Sequence, residues 1–432
     1  MRKSPVFALI DCNNFFVSCE RIFRPDLENK PVVVLSSNDG CVVARSNEAK
    51  ALGIPMAAPA FKYRHIFNAH NVVQFSANFD LYGDISRRIT EILATITPQI
   101  EIYSVDESFL DLSELQIADY RTWGKKIRDI IWNWVGVPVS IGIAHSKTLA
   151  KLASDRAKKD EELEGVLNLV EILYREKTYH LKAVPIHDVW GVGRRLAPKL
   201  RAEGISDAYD LSQMRPQRAQ QLMGIHGRQL VAELEGISCY PLDTIGKPRQ
   251  SIARTRTFGH DTNNLYDIEA AIASFATQAA FRLRTSCQLT RRAAIFLTTN
   301  KHKPGYQQGV KELLFSAPTA DTGQLIAALI AELGNIYKPY YYYHRAGVML
   351  WDFVPANLLQ TDLLGLVSVE AHAQSASRMS AIDNLNEKFG KRTLRYASED
   401  LGSSWKPVYN LRSPRYTTTL SELPAVKPLA TP

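Results

Sequence analysis

The sequence predicts an α+β protein of several domains, and three observations support this fold class. Residues 6–169 alternate strand-like and helix-like patterns, the stretch up to about residue 236 holds short helices separated by glycine, and residues 251–353 return to strands and helices. With 432 residues, 45% of them hydrophobic and 22% charged, the chain has the composition of an ordered protein. Its length corresponds to about two to four domains.

The first unit is predicted to be a sheet that carries helices on one face. Strands are predicted at residues 6–16, 31–35, 41–44, 100–112 and 137–143, and helices at residues 46–52, 82–96 and 120–135. The three helices end at the helix-breaking residues Gly53, Pro98 and Gly136.

The glycine-punctuated region that follows contains two similar turns, at residues 189–195 and 222–228, each between helical patterns. This arrangement is typical of a helix-hairpin-helix, whose glycine turn exposes backbone N–H groups that can hold a nucleic-acid phosphate. An ordinary tight turn between two helices, with glycine at a positive φ, is the alternative for both.

The third unit is predicted to be a small α+β module with a basic surface. Its strands are predicted at residues 251–258, 292–299, 310–315 and 346–353, and its helices at residues 266–287 and 322–336. Basic residues interleave with Thr and Ser here, which suits contacts to phosphate, although a merely solvated face remains the alternative. These residues are Arg249, Arg254, Arg256, Arg291, Arg292, Lys301 and Lys303.

Charge and cysteine content narrow the class of protein. The formal net charge of +8 makes a polyanion a plausible partner, but a surplus of this size also suits many cytosolic enzymes. The five cysteines are odd in number and lack Cys-x-x-Cys spacing, which indicates neither a disulfide framework nor a zinc site. No apolar run approaches the roughly 18 residues of a membrane span, so we expect a cytoplasmic protein without a membrane partner.

Two adjacent carboxylates, Asp106 and Glu107, interrupt a strand-like run, although Asp and Glu are depleted in strands. Neighbouring strand residues point to opposite faces, so both carboxylates can approach one point only at a strand end, at a tight turn or around a metal ion. A surface turn is the alternative. Asp11 likewise follows an apolar strand pattern, and its alternative role is to cap a helix that begins near Asn13. Three carboxylates at strand ends predict a two-metal site for phosphoryl transfer.

With these carboxylates, a glycine hairpin and a basic module behind it, the chain resembles the Y-family DNA polymerases, the translesion enzymes, and most of all their UmuC type. The resemblance covers about residues 6–417, and the segments that carry it are 11–16, 23–27, 37–45, 101–107, 147–153, 188–195 and 413–418. It implies a right-hand polymerase. The implied domains are a palm at 1–20 and 76–170, fingers at 21–75, a helix-hairpin-helix thumb at 171–240, a linker at 241–250, a little finger at 251–355 and a C-terminal partner-binding region at 356–432.

The resemblance also assigns roles to residues of the active site. Asp11, Asp106 and Glu107, with the backbone carbonyl of Cys12, would hold two Mg²⁺ ions. The nucleotide would contact Phe15, Phe16, Arg45, Asn47, Lys50 and Lys158. Phe16 stands where the family commonly has a tyrosine that excludes the ribose 2′-hydroxyl, and Asn47 stands where the fingers commonly have a tyrosine.

Further implied contacts are with DNA and protein partners. The primer–template DNA would contact Gly191, Gly193, Arg194, Arg249, Arg254, Arg256, Arg291 and Arg292. A sliding clamp would bind Gln360, Leu363 and Leu364, although many such motifs have Phe in place of Leu364. The UmuC type also implies a UmuD-type dimer and a RecA-type filament as partners, and error-prone translesion synthesis in the bacterial SOS response.

Two other functions are compatible with parts of this pattern. A non-catalytic DNA-binding or scaffold subunit would be favoured if a metal carboxylate were missing, but all three are present. A nucleotidyl cyclase also pairs carboxylates in its palm. The hairpin and the basic module argue against the cyclase.

Overall fold

The computed structural model describes residues 4–244, 246, 248–358, 369–390, 392–399 and 405–423. The chain divides into two compact units. The first comprises residues 1–36, 40–246 and 411–432, and the second comprises residues 37–39 and 247–410.

The strands are β1 (Phe7–Cys12), β2 (Val32–Leu35), β3 (Val42–Arg45), β4 (Val73–Ser76), β5 (Ile100–Ile102), β6 (Glu107–Asp111), β7 (Val139–Ala144), β8 (Val166–Asn168), β9 (Ser251–Thr262), β10 (Gln288–Thr299), β11 (Gln308–Thr319) and β12 (Tyr343–Pro355). The α-helices are α1 (Phe15–Phe23), α2 (Asn47–Ala51), α3 (Ala60–Ala69), α4 (Phe79–Ala94), α5 (Tyr120–Val135), α6 (Lys147–Lys159), α7 (Tyr174–Lys182), α8 (Leu196–Ala202), α9 (Ala208–Ser212), α10 (Pro216–Met223), α11 (Ile225–Glu235), α12 (Leu265–Thr285), α13 (Thr322–Leu333) and α14 (Val369–Phe389). None of the helices within these described residues has the length and hydropathy needed to span a bilayer.

The first unit contains two sheets. The larger has the strand order β5-β6-β1-β7-β8, in which β1 runs antiparallel to both β6 and β7. The smaller has the order β3-β2-β4 and is formed by residues before α4. Five short helices, α7 to α11, follow the larger sheet, as the glycine-punctuated pattern predicts.

The larger sheet is buried on both faces, because successive residues of β1 project to opposite sides and both sets pack in a core. Ala8 and Ile10 of β1 belong to a core that includes residues of α1, α4 and α5. Phe7 and Leu9, the alternate residues, belong to a second core with α6 and the helices after it. A strand buried on both faces therefore runs directly into Asp11.

The second unit is one antiparallel sheet of four long strands in the order β11-β10-β12-β9. Helices α12 and α13 pack on one face and supply most of the apolar core, including Phe275 and Leu329. Helix α14 joins this unit through Asp383, whose carboxylate accepts hydrogen bonds of 2.7 and 2.8 Å from the Arg284 guanidinium of α12.

Most predicted elements are present, but the first unit differs from the prediction in three ways. Helices cover both faces of the larger sheet and not one, because β1 is apolar on both sides. The predicted helix at residues 120–135 matches α5, whereas the predicted strand at 6–16 is wrong beyond Cys12. Asn14 adopts a left-handed conformation with φ of 49° and begins α1, so the alternative that Asp11 caps this helix is also wrong. The predicted strand at 100–112 is a hairpin of β5 and β6.

Candidate active site

The site begins with a strand register that places two carboxylates side by side. In the antiparallel pair of β1 and β6, Asp11 lies directly opposite Glu107. Opposed residues of such a pair project to the same face of the sheet. Asp11 follows Phe7 and Leu9 in the two-residue alternation, so both carboxylates lie on the face covered by α6.

The third predicted carboxylate, Asp106, lies one residue before β6 and projects to the other side. It lines a small cavity with Ile10 and Cys12, and its Oδ1 accepts a hydrogen bond of 2.6 Å from the Ser104 hydroxyl. Its backbone carbonyl accepts a hydrogen bond of 2.9 Å from the Cys12 N–H. The hairpin thus brings all three acidic residues to one end of the strand pair, but only Asp11 and Glu107 share a face.

Two lysines of α6 neutralise the carboxylates on that face. The Lys158 Nζ lies 2.8 Å from Asp11 Oδ1, and the Lys151 ammonium donates a hydrogen bond to Glu107. These lysines are two helical turns apart and therefore lie on the same side of α6. Lys158 was predicted to be a site residue only through the family resemblance, and no role was predicted for Lys151.

Helix α6 reaches the sheet because Gly142 has no side chain. A Cβ at this position of β7 would lie 2.1 Å from the Ala150 carbonyl oxygen and 2.2 Å from the Ser154 nitrogen. The Ser154 hydroxyl also donates a hydrogen bond of 3.1 Å to the Ser140 carbonyl of β7. Close backbone packing therefore sets the height of the two lysines above Asp11 and Glu107.

Because Asp11 and Glu107 are partly buried, nearby positive charge is needed to stabilise their ionised forms. Desolvation raises the pKa of Asp11, and the Lys158 ammonium acts in the opposite direction. The pKa of Glu107 is raised for the same reason and is opposed by Lys151. A buried anion is stable only when a cation or hydrogen-bond donors compensate it.

This donor set fits a hard divalent cation, because carboxylate oxygens are the ligands such an ion prefers, and the ion would take the place of the lysine ammonium groups. Among the described residues, however, no three His, Cys, Asp or Glu side chains are grouped closely enough to hold a metal ion in the present arrangement. At this site Asp106 projects away from the face that carries Asp11 and Glu107.

A second group of cations lies near Asp11. The Lys50 Nζ of α2 donates hydrogen bonds of 2.6 Å to Asn14 and 3.1 Å to Asn47. Burial lowers the pKa of Lys50, and repulsion from Lys158 and Arg45 lowers it further. Mutually repelling cations are a favourable place for a polyanion such as a triphosphate. The Arg45 guanidinium also donates to the Ile54 carbonyl, which ties it to the backbone.

Phe16, the predicted selector against ribose, is held in an aromatic group. Its ring stacks on Tyr82 with a centroid distance of 4.5 Å and meets Phe79 edge-on at 5.9 Å. Both partners lie in the first turn of α4. Phe15 is buried beside Phe16, with a centroid distance of 5.8 Å.

The first predicted hairpin borders the acidic pocket, a cavity of about 270 Å³ lined by Asp11, Glu107 and Trp190 among others. The Trp190 indole N–H donates a hydrogen bond of 3.1 Å to the Tyr103 hydroxyl of the β5–β6 turn. Gly191 has a φ of +87°, which favours glycine, and Arg194 is exposed. A Cβ on Gly193 would meet nothing within 4 Å, so this glycine is open to a ligand.

The basic residues of the second unit form two groups. Arg254 of β9 is half-buried, and burial together with repulsion from Arg282, Arg256 and Arg249 lowers its pKa. Arg282 of α12 was not predicted as part of this group, because it lies in a helix, 26 residues after Arg256. A predicted helix face next to a basic strand is the signal that could have identified it.

Arg292 and Arg291 belong to the other group, on β10. Arg292 lies 3.7 Å from the Asp352 carboxylate, and Arg291 is exposed at a β-bulge. The open face of the sheet also carries a groove of about 760 Å³, where Arg345 lies 5.6 Å from the centre of the Phe296 ring. The predicted clamp-binding residues Gln360, Leu363 and Leu364 lie outside the described residues.

Comparison with known proteins agrees with this fold. Residues 10–155 match the impB/mucB/samB family model, residues 249–363 match the model of that family's C-terminal domain, and residues 378–426 match a domain of unknown function, DUF4113. The chain is 39% identical to Protein UmuC of Salmonella typhimurium, with 98% of this chain and all of that protein covered. It is 34% identical to Protein MucB of Escherichia coli, with coverage of 97% and 99%.

Solved structures share the fold at lower identity. A Y-family DNA polymerase chimera superposes with a TM-score of 0.63 at 22% identity and covers 81% of this chain and 99% of its own. DinB from Sulfolobus solfataricus superposes with a TM-score of 0.52 at 21% identity, with coverage of 80% and 98%. The chain therefore belongs to the impB/mucB/samB family and is a Y-family DNA polymerase of the UmuC type. This relationship implies the use of a divalent metal.

Proposed function

We propose that this chain extends a primer along a DNA template by transfer of nucleotides from dNTPs, with release of pyrophosphate, during error-prone translesion synthesis in the bacterial SOS response. The observation that carries the proposal is the pairing of Asp11 with Glu107 beside Lys158 and Lys50. This arrangement puts partly buried acidic residues next to a cationic group. Acidic residues suit metal ions, and the cations suit a triphosphate.

In this proposal Asp11, Asp106 and Glu107, with the Cys12 carbonyl, hold two Mg²⁺ ions. When bound, the ions lower the pKa of the primer 3′-hydroxyl and neutralise charge on the triphosphate. Lys151 donates a hydrogen bond to the Glu107 carboxylate, which would be a ligand of the metal.

The protein's own side chains bind and orient the nucleotide. Lys50, Lys158 and Arg45 contact triphosphate oxygens, and Asn47 orients Lys50. Phe15 is buried next to Phe16, and Phe16 excludes the ribose 2′-hydroxyl by shape, since its ring is held by Tyr82 and Phe79. Replacement of Phe16 by Ala is expected to increase ribonucleotide incorporation, and unchanged incorporation would show that the assignment is wrong.

The domain assignment is part of the same proposal. The palm comprises residues 1–20 and 76–170, the fingers 21–75, the thumb 171–240, the linker 241–250, the little finger 251–355 and the partner-binding region 356–432. The DNA backbone contacts the hairpin at Gly191, Gly193 and Arg194, and it contacts the basic residues of the little finger. Those residues are Arg249, Arg254, Arg256, Arg291 and Arg292, and their charge supports the assignment.

The proposed protein partners and the proposed location follow from the family relationship. The partners are a UmuD-type dimer, a RecA-type filament and a sliding clamp bound by Gln360, Leu363 and Leu364. The protein acts in the bacterial cytoplasm, and it lies at the nucleoid when it is on DNA. Deletion of residues 360–364 is expected to weaken clamp-stimulated synthesis and to leave distributive synthesis intact. Unchanged processivity would count against the clamp site.

The central test is primer extension with Mg²⁺ on undamaged and abasic templates. Asp106→Ala is expected to abolish extension, whereas Asp129→Ala, a control at an exposed position of α5, is expected to extend as the wild type does. Extension by the Asp106 variant at the wild-type rate would refute the proposed mechanism. Failure of the wild type to extend any primer would favour a scaffold subunit, and cyclic nucleotide formation would favour a cyclase.

A further inference from the structure

The C-terminal segment (residues 411–416) forms part of the first unit, although it lies far along the chain from the rest of it. Leu411 donates its N–H to the Ser76 hydroxyl at 2.9 Å, and its carbonyl accepts the Ser76 N–H at 3.0 Å. Tyr416 stacks on Phe23 at the end of α1, with a centroid distance of 4.3 Å. The segment therefore contacts the end of β4 and the end of α1.

Between these contacts the segment binds the first turn of α4. Asn78 is the N-cap of α4, and its side-chain oxygen accepts the Leu81 N–H at 3.4 Å. Its amide nitrogen lies 3.0 Å from both the carbonyl and the hydroxyl oxygen of Ser413 and 3.1 Å from the Pro414 carbonyl. One asparagine thus begins the helix and anchors the segment.

The Ser413 hydroxyl extends this contact to α1. It donates a hydrogen bond of 2.9 Å to Glu20 Oε1, the atom that also accepts the Tyr82 hydroxyl at 2.6 Å. Glu20 is fully buried, and among the described residues its Oε2 has no hydrogen-bond partner. Compensation of the buried carboxyl group therefore depends on the two hydroxyls at Oε1.

The hydrogen bonds among Ser413, Glu20 and Tyr82 lie next to Phe16, whose ring is proposed to select the sugar. Glu20 is four residues after Phe16 on α1, so the two side chains lie on the same side of the helix. Tyr82, which donates to Glu20, is the residue on which the Phe16 ring stacks, and Phe79 precedes Tyr82 in the same turn of α4. Ser413 therefore connects, through one oxygen, the helix that carries Phe16 and the helix that carries its aromatic partners.

We propose that the C-terminal segment is a positioning element for sugar selection, in which Ser413 holds the first turn of α4 against α1 and so fixes the Phe16 ring. This gives a role to part of the stretch matched by the family model of unknown function. The inference rests on the proposed function, in which Phe16 excludes ribose.

The test compares the full-length variants Ser413→Ala and Tyr82→Phe with the wild type. Each removes one hydroxyl at Glu20, and Tyr82→Phe keeps the aromatic ring. Arg415→Ala is the matched control, because it removes the contact of this segment with Glu422 without removing any group at Glu20. Single-turnover primer extension opposite template dG measures the ratio of efficiencies for dCTP and rCTP, and thermal denaturation measures stability.

We expect Ser413→Ala and Tyr82→Phe to lower this ratio about fivefold, the change in population that loss of one hydrogen bond of ordinary strength produces. The dCTP turnover number of Ser413→Ala should remain near the wild-type value. Arg415→Ala should leave the ratio unchanged, and Ser413→Thr, which retains the hydroxyl, should restore it. If Ser413→Ala does not fold, Tyr82→Phe decides the outcome through the same Glu20 oxygen.

Two results would overturn the inference. One is a wild-type ratio in both Ser413→Ala and Tyr82→Phe. The other is an equal fall in Arg415→Ala, which would make the effect one of general stability. Phe16→Ala separates this inference from the proposed function. If Phe16→Ala lowers the ratio and the other two variants do not, only the positioning role fails, and if Phe16→Ala leaves the ratio unchanged, the gate assignment itself fails.

Discussion

Gly142 provides a sharp test of how the acidic pair and its lysines are arranged. An alanine Cβ at this position would lie 2.1 Å from the Ala150 carbonyl oxygen, whereas ordinary contact begins at 3.4 Å. Helix α6 would have to move by the difference, about 1.3 Å, because the crowded atoms are backbone and cannot rotate away. The same movement would carry Lys151 and Lys158 away from Glu107 and Asp11.

The size of the effect follows from this displacement. Overpacking against a rigid backbone costs about 3 kcal/mol, the upper end of the usual range. For a unit of this size we therefore expect the Tm of Gly142→Ala to fall by roughly 6–12 °C. A shift of about 1 Å in groups that position a reacting substrate costs on the order of 100-fold in rate, which is the expected loss in primer extension.

Far-UV circular dichroism with heating and single-turnover primer extension measure the two effects. Gly83→Ala is the matched control, because Gly83 is exposed within α4 and a Cβ there would meet nothing within 4 Å. The control should be as stable as the wild type or about 0.5–1 kcal/mol more stable, since alanine is the better helix former. Wild-type stability and rate in Gly142→Ala would refute the view that the missing side chain sets the height of α6.

Three further outcomes are expected. Lys50→Ala should raise the KM for dNTP about tenfold with little change in kcat, measured by steady-state primer extension, because it removes a charge-assisted phosphate contact. Desolvation raises the pKa of Glu20 above its usual 4.5, so its stabilising contribution is complete below pH 4.5 and declines as the pH rises through the folded-state pKa. Between pH 5 and 8, the Tm of Glu20→Gln should therefore depend on pH less than that of the wild type. Asp383→Ala should destabilise the second unit by about 3 kcal/mol in urea titrations, because it leaves the largely buried Arg284 guanidinium without its carboxylate. The exposed i,i+4 pair of Arg87 with Glu91 gives the control, as Glu91→Ala should cost less than about 0.5 kcal/mol.

Local pattern was sufficient to predict much of the candidate site. An apolar run that stops at Asp11 and an acidic pair in a second strand-like run indicated carboxylates at strand ends, and the β1–β6 register places Asp11 opposite Glu107. The direction of Asp106 could not be predicted, because it depends on which residue begins β6. The start of β6 at Glu107 leaves Asp106 in the turn, where Ser104 binds it.

Contacts made across long separations in sequence had no local signal. Lys151 meets Glu107 only because Gly142 admits α6 to the sheet, and neither helical periodicity nor charge spacing reports that approach. The bond from Ser413 to Glu20 spans 393 residues and joins a loop to a helix. A lone serine in an irregular segment gives no indication of such a partner.

The late position of Ser413 in the chain has a consequence for biosynthesis. At about 5–20 residues per second, a ribosome reaches Ser413 roughly 20–80 s after Glu20, which is 393 residues earlier. Until then α1 and α4 must pack around a carboxyl group that lacks one of its two donors, and Asn78 lacks its acceptors in the C-terminal segment. We expect a product that ends at residue 410 to be cleaved by proteases faster than the full chain, which pulse proteolysis would measure. We therefore expect the first unit to reach its full stability only after synthesis has passed residue 416.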